Sequence, residues 1–415
     1  MIKLDTKGSD YTIPQLDLSR APEGTEAKYL PLYDLVTIDD ETDYLGHPDA
    51  VLLKDGSILT VYPSAHGKGA IRSRVSSDKG ASWQNADDRQ PASWKNSRET
   101  PTVYRLEFAD GTPDKLVLVS GNPDWHDGVE STGGFNYSIS DDEGKSWSEF
   151  ELCFPELGGK KLCTIVAMAS LTRLKENGAF ADKWMAFFHT GEFINYKTIL
   201  SFEDGRPVWS TPEPYFSAYR EIEEFSNMCE VEVIRSDEGK GDELCLITRS
   251  NSKKINSLLS FSRDEGITWS EPVTAPASLN GERHKADYLA DGRLFITFRS
   301  IERSPEKLAA VAPDRSDWYS EGWIAWVGTY DDIRNGREGQ YRIKVAHVCR
   351  DGRTEPERYA GSDTGYCGNA VLDGMTAFTS TYGAFGKHNA DGTLKTYVAC
   401  KRIDITLADE LVKKL

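Results

Sequence analysis

Apolar runs and short polar turns alternate along the whole chain. Six times an apolar run enters an Asp-Gly, Asn-Gly or related glycine turn, and a second apolar run follows it. This pattern is typical of a β-hairpin, because such turns supply the positive φ values that a tight connection needs. The hairpins are predicted at residues 50–62, 102–120, 170–188, 231–249, 287–299 and 370–382.

A second repeat lies in the turns that follow these hairpins. The spelling Ser-x-Asp-x-Gly-x-x-Trp occurs at 76–83, 140–147 and 262–269, and residues 201–209 form a degraded copy. Ser and Asp in such a turn bond their own backbone, and Gly accepts a positive φ. We therefore interpret Asp78, Asp142 and Asp264 as turn-forming rather than catalytic residues.

Together the two repeats predict an all-β fold, a six-bladed β-propeller of four-stranded antiparallel blades with Asp-box turns. The prediction treats residues 1–415 as one domain, with residues 1–45 supplying a strand that closes the ring on blade 6. The outer strands of blade 5 are expected at 323–332 and 341–348. An array of β-sandwiches is the alternative fold, and the absence of linker-like tracts disfavours it.

Composition narrows the classes of function. The formal net charge of -17 would repel a nucleic acid backbone, and no run of five basic residues opposes it. No segment has the roughly 20 apolar residues of a membrane helix. We therefore expect neither nucleic acid nor membrane as a partner. The first residues lack the apolar stretch of a secretory signal, so a cytoplasmic location is expected.

Cysteine and histidine spacings give no sign of a cofactor. The seven cysteines are odd in number, and no two form a Cys-x-x-Cys pair, so we expect reduced thiols without a disulfide framework or a zinc site. No His-x-His or His-x-x-x-His spacing indicates a metal ion.

Histidines concentrate where a propeller would assemble a cleft. In such a fold the starts of the innermost strands and the loops after the second strands share one face. Six of the seven histidines fall in these segments, namely His47, His66, His126, His189, His284 and His388. Histidine changes charge near neutral pH, so this rim is the predicted working face.

Asp-box turns on a six-bladed propeller resemble the sialidase (neuraminidase) superfamily over nearly the whole chain. The resemblance extends to four positions at the blade openings and hairpin ends, which here hold Glu230, Arg249, Arg299 and Tyr366. It implies that the arginines bind a substrate carboxylate. It also implies that Tyr366, deprotonated by Glu230, attacks the anomeric carbon.

The chain departs from this family in blade 1. The family's first arginine is replaced within Gly46-His47-Pro48, and its acidic aspartate is missing from the loop at 65–69. Lys68 or Arg283 is a candidate for the missing cation. His66 or His284 is a candidate for the proton donor, since imidazole has a suitable pKa range.

The predicted function is an exo-acting glycoside hydrolase that removes a terminal acidic sugar from a glycan. A uronate-specific polysaccharide lyase and a non-catalytic carbohydrate-binding propeller are the alternatives. The catalytic candidates are Tyr366, Glu230, His66 and His284. The substrate-binding candidates are Arg249, Arg299, Arg283, Lys68, His47, Asp49, Glu99, Trp125 and His126. The structural alternatives are ion pairing for the arginines, channel packing for Tyr366 and loop anchoring for Trp125.

Overall fold

The computed structural model confirms the predicted fold class, with six antiparallel sheets arranged as the blades of a propeller. It describes residues 11–124, 131–166, 168–220, 222, 225, 227–252, 254–302, 306, 319–349 and 363–415. Strands near the N-terminus, β1 (Gln15–Asp17) and β2 (Val36–Asp39), join sheets that are otherwise formed by the last third of the chain.

Blades 1, 2 and 4 are regular four-stranded sheets whose strands follow one another from the inside outwards. Blade 1 contains β3 (Asp49–Leu52), β4 (Ile58–Ala65), β5 (Lys68–Ser76) and β6 (Gln84–Asn85). Blade 2 contains β7 (Thr102–Leu106), β8 (Lys115–Gly121), β9 (Phe135–Ser140) and β10 (Glu151–Cys153). A small hairpin of β11 (Glu156–Leu157) and β12 (Lys160–Lys161) follows it.

Blade 3 carries two additional short strands. It contains β13 (Thr164–Ile165), β14 (Leu171–Glu176), β15 (Ala179–Thr190), β16 (Asn195–Glu203), β17 (Arg206–Trp209) and β18 (Glu213–Pro214). Blade 4 contains β19 (Met228–Arg235), β20 (Leu244–Ser250), β21 (Leu258–Ser262) and β22 (Val273–Thr274). In blade 3 the degraded Asp-box forms a two-residue hairpin turn, with Asp204 and Gly205 both at positive φ, so Trp209 lies in a strand.

Blades 5 and 6 incorporate the two N-terminal strands. Blade 5 contains β23 (Gly281–Tyr288), β24 (Leu294–Glu302), β25 (Tyr319–Gly328) and β26 (Tyr341–Lys344), and blade 6 contains β27 (Gly368–Val371), β28 (Thr376–Gly383) and β29 (Tyr397–Asp404). β2 pairs with β29 as the outer strand of blade 6. β1 pairs in parallel with β26, which was not predicted.

The helices are few and short. The described residues contain two α-helices with defined bounds, α1 (Tyr330–Arg334) and α2 (Ile405–Val412). Within the same residues, 3₁₀ segments are Ala27–Tyr33, Asp87–Arg89, Ala92–Asn96, Ser217–Tyr219 and Ala277–Leu279. The strand expected at 323–332 ends at Gly328, because Thr329 and Asp332 form a capping box that starts α1. None of the helices within the described residues combines the length and the apolar character needed to cross a membrane.

The core lies between neighbouring blades rather than inside any one of them. Consecutive residues of one strand face opposite interfaces: Leu246 packs with Met185 of blade 3, while Ile247 packs with Ile296 of blade 5. Tyr62 and Phe378 share the interface between blades 1 and 6. Because the middle strands are buried on both faces, they read as continuous apolar runs.

The Asp-box turns are closed by hydrogen bonds among their own residues. Asp78 accepts hydrogen bonds from the Ser82 backbone N–H at 2.8 Å and from the Ser82 hydroxyl at 2.6 Å. The equivalent aspartates, Asp142 and Asp264, bond their own turns in the same way. These bonds agree with a turn-forming role for the three aspartates.

We predict that Gly368→Ala destabilises the ring at the junction of blades 6 and 1. A Cβ there would lie 2.5 Å from the Ala50 backbone nitrogen, so two inner strands would have to separate. Overpacking of this kind lowers the free energy of unfolding by about 1–3 kcal/mol, measurable by urea denaturation. Gly191→Ala is the matched control, because its Cβ would make only an ordinary contact with Ile165 at 3.6 Å. Equal stability of both variants would contradict the close strand approach.

Candidate active site

All six blades contribute side chains to a cavity of about 390 Å³ at one mouth of the channel. Seven of the thirteen predicted site residues line it, namely His47, His66, Glu99, Glu230, Arg249, Arg299 and Tyr366. Trp125 and His126 lie outside the described residues. The ring therefore brings together side chains that are up to 335 positions apart in the chain.

Tyr366 and Glu230 form a hydrogen-bonded pair in this cavity. The Tyr366 hydroxyl donates a short hydrogen bond to Glu230 Oε1. Arg249 Nη1 lies 2.6 Å from that carboxylate oxygen and 2.9 Å from the Tyr366 hydroxyl. Burial and the Glu230 charge raise the pKa of Tyr366 well above its usual value, against the opposing effect of Arg249. Tyr366 is therefore protonated at rest, and Glu230 is the base positioned to take its proton.

A β-bulge directs Glu230 toward Tyr366. In the pairing of β19 with β20, Cys229 is opposite Arg249, and the register shifts before Glu232 pairs with Ile247. Glu230 sits within this irregularity in the left-handed region, at φ 52°. Strict strand alternation would have placed Met228 at this position. Bulges near active sites commonly re-aim a side chain in this way.

The two arginines are bridged by a carboxylate that the sequence analysis missed. Arg299 Nε donates to Glu282 Oε2 at 2.7 Å, and Arg249 Nε forms an ion pair with Glu282 Oε1 at 3.0 Å. The Arg299 guanidinium also lies over the Tyr366 ring, 5.2 Å from its centroid. Although burial alone would lower the pKa of both arginines, the neighbouring carboxylates raise it, so both remain charged.

A separate hydrogen-bond network connects blades 1 and 6 on the other side of Tyr366. The Tyr382 hydroxyl donates to Asp363 Oδ1 at 2.7 Å, and Tyr44 donates a short hydrogen bond to Asp363 Oδ2. His66 Nδ1 lies 2.6 Å from the Tyr44 hydroxyl and 3.2 Å from Asp363 Oδ2. The His47 ring contacts the rings of Tyr366 and His66, with both centroid separations at 4.8 Å.

His47 is held neutral in this network. Burial, reinforced by the nearby charge of His66, lowers the pKa of His47 to about 3. The Gly67 backbone N–H donates to His47 Nδ1 at 3.0 Å. His47 is therefore uncharged at neutral pH, and it does not replace the cation of the family's first arginine.

The ligating atoms of His47, His66 and Asp363 lie within 4.8 Å of one another, which is close enough to consider a metal ion. The hydrogen bond from Gly67 opposes this, because it occupies Nδ1 and leaves the proton of the neutral ring on Nε2. With Nδ1 occupied and Nε2 protonated, neither nitrogen of the neutral His47 ring has a free lone pair for a metal ion. The donor set therefore fits a proton network better than a metal site.

Four predicted site residues do not line the cavity. His284 is fully buried, donates from Nε2 to Leu279 O at 2.9 Å and stacks on Phe298, and burial lowers its pKa to about 4. Arg283 donates to Ala169 O at 2.8 Å. Both residues lie in the β23 bulge, between Glu282 and Lys285, so strand position alone could not predict their directions.

Asp49 and Lys68 also point elsewhere. Asp49 accepts a hydrogen bond from the Val103 backbone N–H at 3.0 Å and pairs with Lys285 at 3.2 Å, so it ties the inner strands of three blades together. Lys68 begins β5 after the turn at His66 and Gly67 and is absent from the cavity lining. Lys68 and Arg283, the two candidates for the missing cation of blade 1, therefore both lie outside the cavity lining.

Several residues that line the cavity or bond to its lining were not site candidates in the sequence analysis. Tyr382 opens a loop on the predicted rim, and Asp363 directly precedes the predicted blade 6 opening, so their positions were the available signal. His189, also on that rim, stacks on Phe193 at 5.6 Å. Among the described residues, His189 Nε2 and Glu230 Oε2 have no hydrogen-bond partner although they are buried. These two atoms are available to a polar ligand.

No model of a known protein family matches the sequence, and no curated protein sequence matches it. Solved structures do match. A Dyadobacter fermentans protein of unknown function has a TM-score of 0.60 and 14% identity, covering 89% of this chain and 97% of its own. The NanB sialidase from Streptococcus pneumoniae has a TM-score of 0.57 and 12% identity, covering 93% and 73%. An α-L-arabinanase from Penicillium chrysogenum has a TM-score of 0.55 and 11% identity, covering 90% and 98%.

These likenesses show the fold. The chain has the propeller architecture that sialidases and arabinanases share, which supports the expected resemblance at the level of a propeller glycosidase fold. The two kinds of glycosidase match about equally well, so the comparison does not select a substrate.

We predict that Glu282→Gln destabilises the protein strongly. Glu282 is 2% exposed and compensates two buried guanidinium groups, and removing one partner of a buried charge pair costs about 3–5 kcal/mol. Urea unfolding measures the loss. The control is Glu26→Gln, which removes an exposed pair with Lys414 and should change stability by about 0–1 kcal/mol. Similar small effects in both variants would contradict the bridging role of Glu282.

Proposed function

We propose that the protein is an exo-acting glycoside hydrolase that removes a terminal acidic sugar, with Tyr366 as the nucleophile. The observation that carries this proposal is the Tyr366 hydroxyl bonded to Glu230 and contacted by Arg249 inside the cavity. Tyrosine attacks only when a base takes its proton and cations stabilise the developing phenolate. Glu230 supplies the base, and Arg249 and Arg299 supply the positive charge.

The choice of nucleophile supports an anionic substrate. An ionised Asp or Glu nucleophile would be repelled by a carboxylate next to the anomeric carbon, whereas a tyrosine stays neutral until it attacks. The two arginines lie on the same side of the cavity as Tyr366, where a guanidinium can bind a carboxylate in a planar, paired geometry. The same pair would be unnecessary for a neutral sugar.

The reaction proceeds in two displacements. Glu230 accepts the phenolic proton as the Tyr366 oxygen bonds to the anomeric carbon, and the leaving oxygen departs with a proton from a general acid. Water then attacks the glycosyl-tyrosine, gives its proton to the same group, and releases Tyr366, which recovers its proton from Glu230. Proton donation and removal by one group in turn are typical of double-displacement glycosidases.

We predict that Tyr366→Phe lowers kcat by about 10³-fold or more on the best acidic glycoside, because the nucleophile is lost. Tyr62→Phe is the matched control. It removes another buried hydroxyl bonded to a carboxylate, Asp39 at 2.7 Å, outside the cavity. A fluorinated acidic glycosyl donor should label the peptide containing Tyr366 in the parent protein, as read by mass spectrometry. Parental kcat in Tyr366→Phe would contradict the proposal.

We predict that the parent discriminates an acidic glycoside from its methyl ester by about 10²-fold or more in kcat/KM, because the ester cannot pair with a guanidinium. Arg299→Lys should reduce this discrimination, since an ammonium lacks the planar fork, while activity on the ester changes little. Equal cleavage of acid and ester by the parent would argue for a neutral sugar. An unsaturated product, seen by its ultraviolet absorbance, would favour the lyase instead.

A further inference from the structure

Asp363 lies at the centre of the network that connects blades 1 and 6. Its carboxylate accepts hydrogen bonds from Tyr44 and Tyr382 and lies 3.2 Å from His66 Nδ1. Although burial would raise its pKa, the hydrogen bonds from His66 and Tyr44 hold the pKa of Asp363 well below its usual value. The carboxylate is therefore ionised, and every proton in the network must be donated toward it.

Counting hydrogens fixes the proton on His66. Tyr44 has one hydroxyl hydrogen and gives it to Asp363, so its oxygen can only accept from His66. The 2.6 Å contact between Tyr44 and His66 Nδ1 therefore requires a hydrogen on Nδ1. Nε2 is then the nitrogen of His66 that gains or loses a proton, while Nδ1 stays bound to Tyr44 and Asp363.

The same count shows that His47 cannot take up and release a proton as His66 does. Tyr382 gives its hydrogen to Asp363, so it accepts from His47 Nε2 at 3.2 Å. The Gly67 N–H occupies His47 Nδ1. His47 therefore has no position for a second proton, and its neutral ring lies between His66 and Tyr366.

We propose that His66 is the general acid and base of the reaction and that Asp363, with Tyr44, is the positioning residue that fixes its tautomer and stabilises its protonated form. This inference rests on the proposed hydrolase function. His66 lines the same cavity as Tyr366 and has a side chain that is 61% exposed, so solvent can restore its proton after each turnover. The pair would take the place of the aspartate missing from the blade 1 loop.

The electrostatic surroundings of His66 make Asp363 the main influence on its charge. Tyr44, His47 and Asp363 contact it directly. Tyr44 and His47 are neutral there, so Asp363 is the charged group in contact. The other charged groups that line the cavity are Glu99, Glu230, Arg249 and Arg299, and they belong to blades 2, 4 and 5.

The first test requires no substrate. Nitrogen NMR signals of the neutral histidine rings are compared in the parent and in Asp363→Asn, with the His66 signals assigned by their loss in His66→Gln. We expect His66 to carry its hydrogen on Nδ1 in the parent and a larger fraction of the rings to carry it on Nε2 in Asp363→Asn, because a neutral amide accepts hydrogen bonds less strongly than a carboxylate. Asp391→Asn, which changes an exposed loop aspartate bonded within its own turn, is the control that should leave the tautomer unchanged. An unchanged tautomer in Asp363→Asn would overturn the pairing.

The second test separates proton donation from structural support. His66→Gln and Asp363→Asn are compared on acidic glycosides with an alkyl or sugar leaving group and with a nitrophenyl leaving group, which departs without protonation. We expect kcat/KM, which reports the first displacement, to fall by about 10²- to 10⁴-fold on the former for His66→Gln, with less than about tenfold loss on the latter. Because His66 is also the base for the attacking water, kcat should fall on both kinds of substrate. Asp363→Asn should show the same dependence on the leaving group, with smaller losses.

Equal losses of kcat/KM on both kinds of leaving group would show a structural role and overturn the inference. If Asp363→Asn fails to fold, Tyr44→Phe replaces it, because it removes one hydrogen bond to Asp363 and keeps the ring; an unchanged leaving-group dependence there counts against the inference. If the parent cleaves no acidic glycoside, the proposed hydrolase function fails, while the NMR experiment still decides whether Asp363 fixes the tautomer of His66.

Discussion

The structure of the cavity depends on compensation of buried positive charge. Arg249 and Arg299 lie next to one another beneath a tyrosine that is itself buried, an arrangement that would be strongly unfavourable for two bare guanidinium groups in a low dielectric. Glu282 pairs with both, and Glu230 pairs with Arg249. The two carboxylates therefore act differently: one maintains the arginines, and the other is also bonded to the group that would react.

Backbone geometry at the channel mouth supports this arrangement. His47, Glu230 and Arg283 occupy the left-handed region at φ 52°, 52° and 54°, each at the start of the inner strand of its blade. Such conformations cost about 1–3 kcal/mol each for residues other than glycine. The same backbone irregularity recurs in blades 1, 4 and 5, so strained backbone conformations shape the mouth of the ring. The packing between blades offsets the free energy that this strain costs.

Sequence patterns predicted the ring well because hairpin turns and Asp-boxes are local signals, decided by a few neighbouring residues. Tyr366, Glu230, Arg249 and Arg299 all fall on the predicted rim, and resemblance to a known family singled them out. For Glu230, strand position alone would have favoured Met228. The predictions that His284 and Arg283 belong to the site were wrong because the bulge in β23 rotates their side chains. The residue types around the bulge do not indicate its presence. Glu282 and Asp363 were missed because their roles depend on partners from other strands, over separations of 17 to 319 residues.

The pairing of the two N-terminal strands has a consequence for how the molecule is made. β2 finds its partner in β29 and β1 finds its partner in β26, so strands synthesised first stay unpaired until nearly the whole chain has emerged. Contacts this distant in sequence slow folding and leave strand edges exposed in the meantime. The ring of blades therefore stays open for most of the synthesis of the chain. A chaperone would be needed most at that stage.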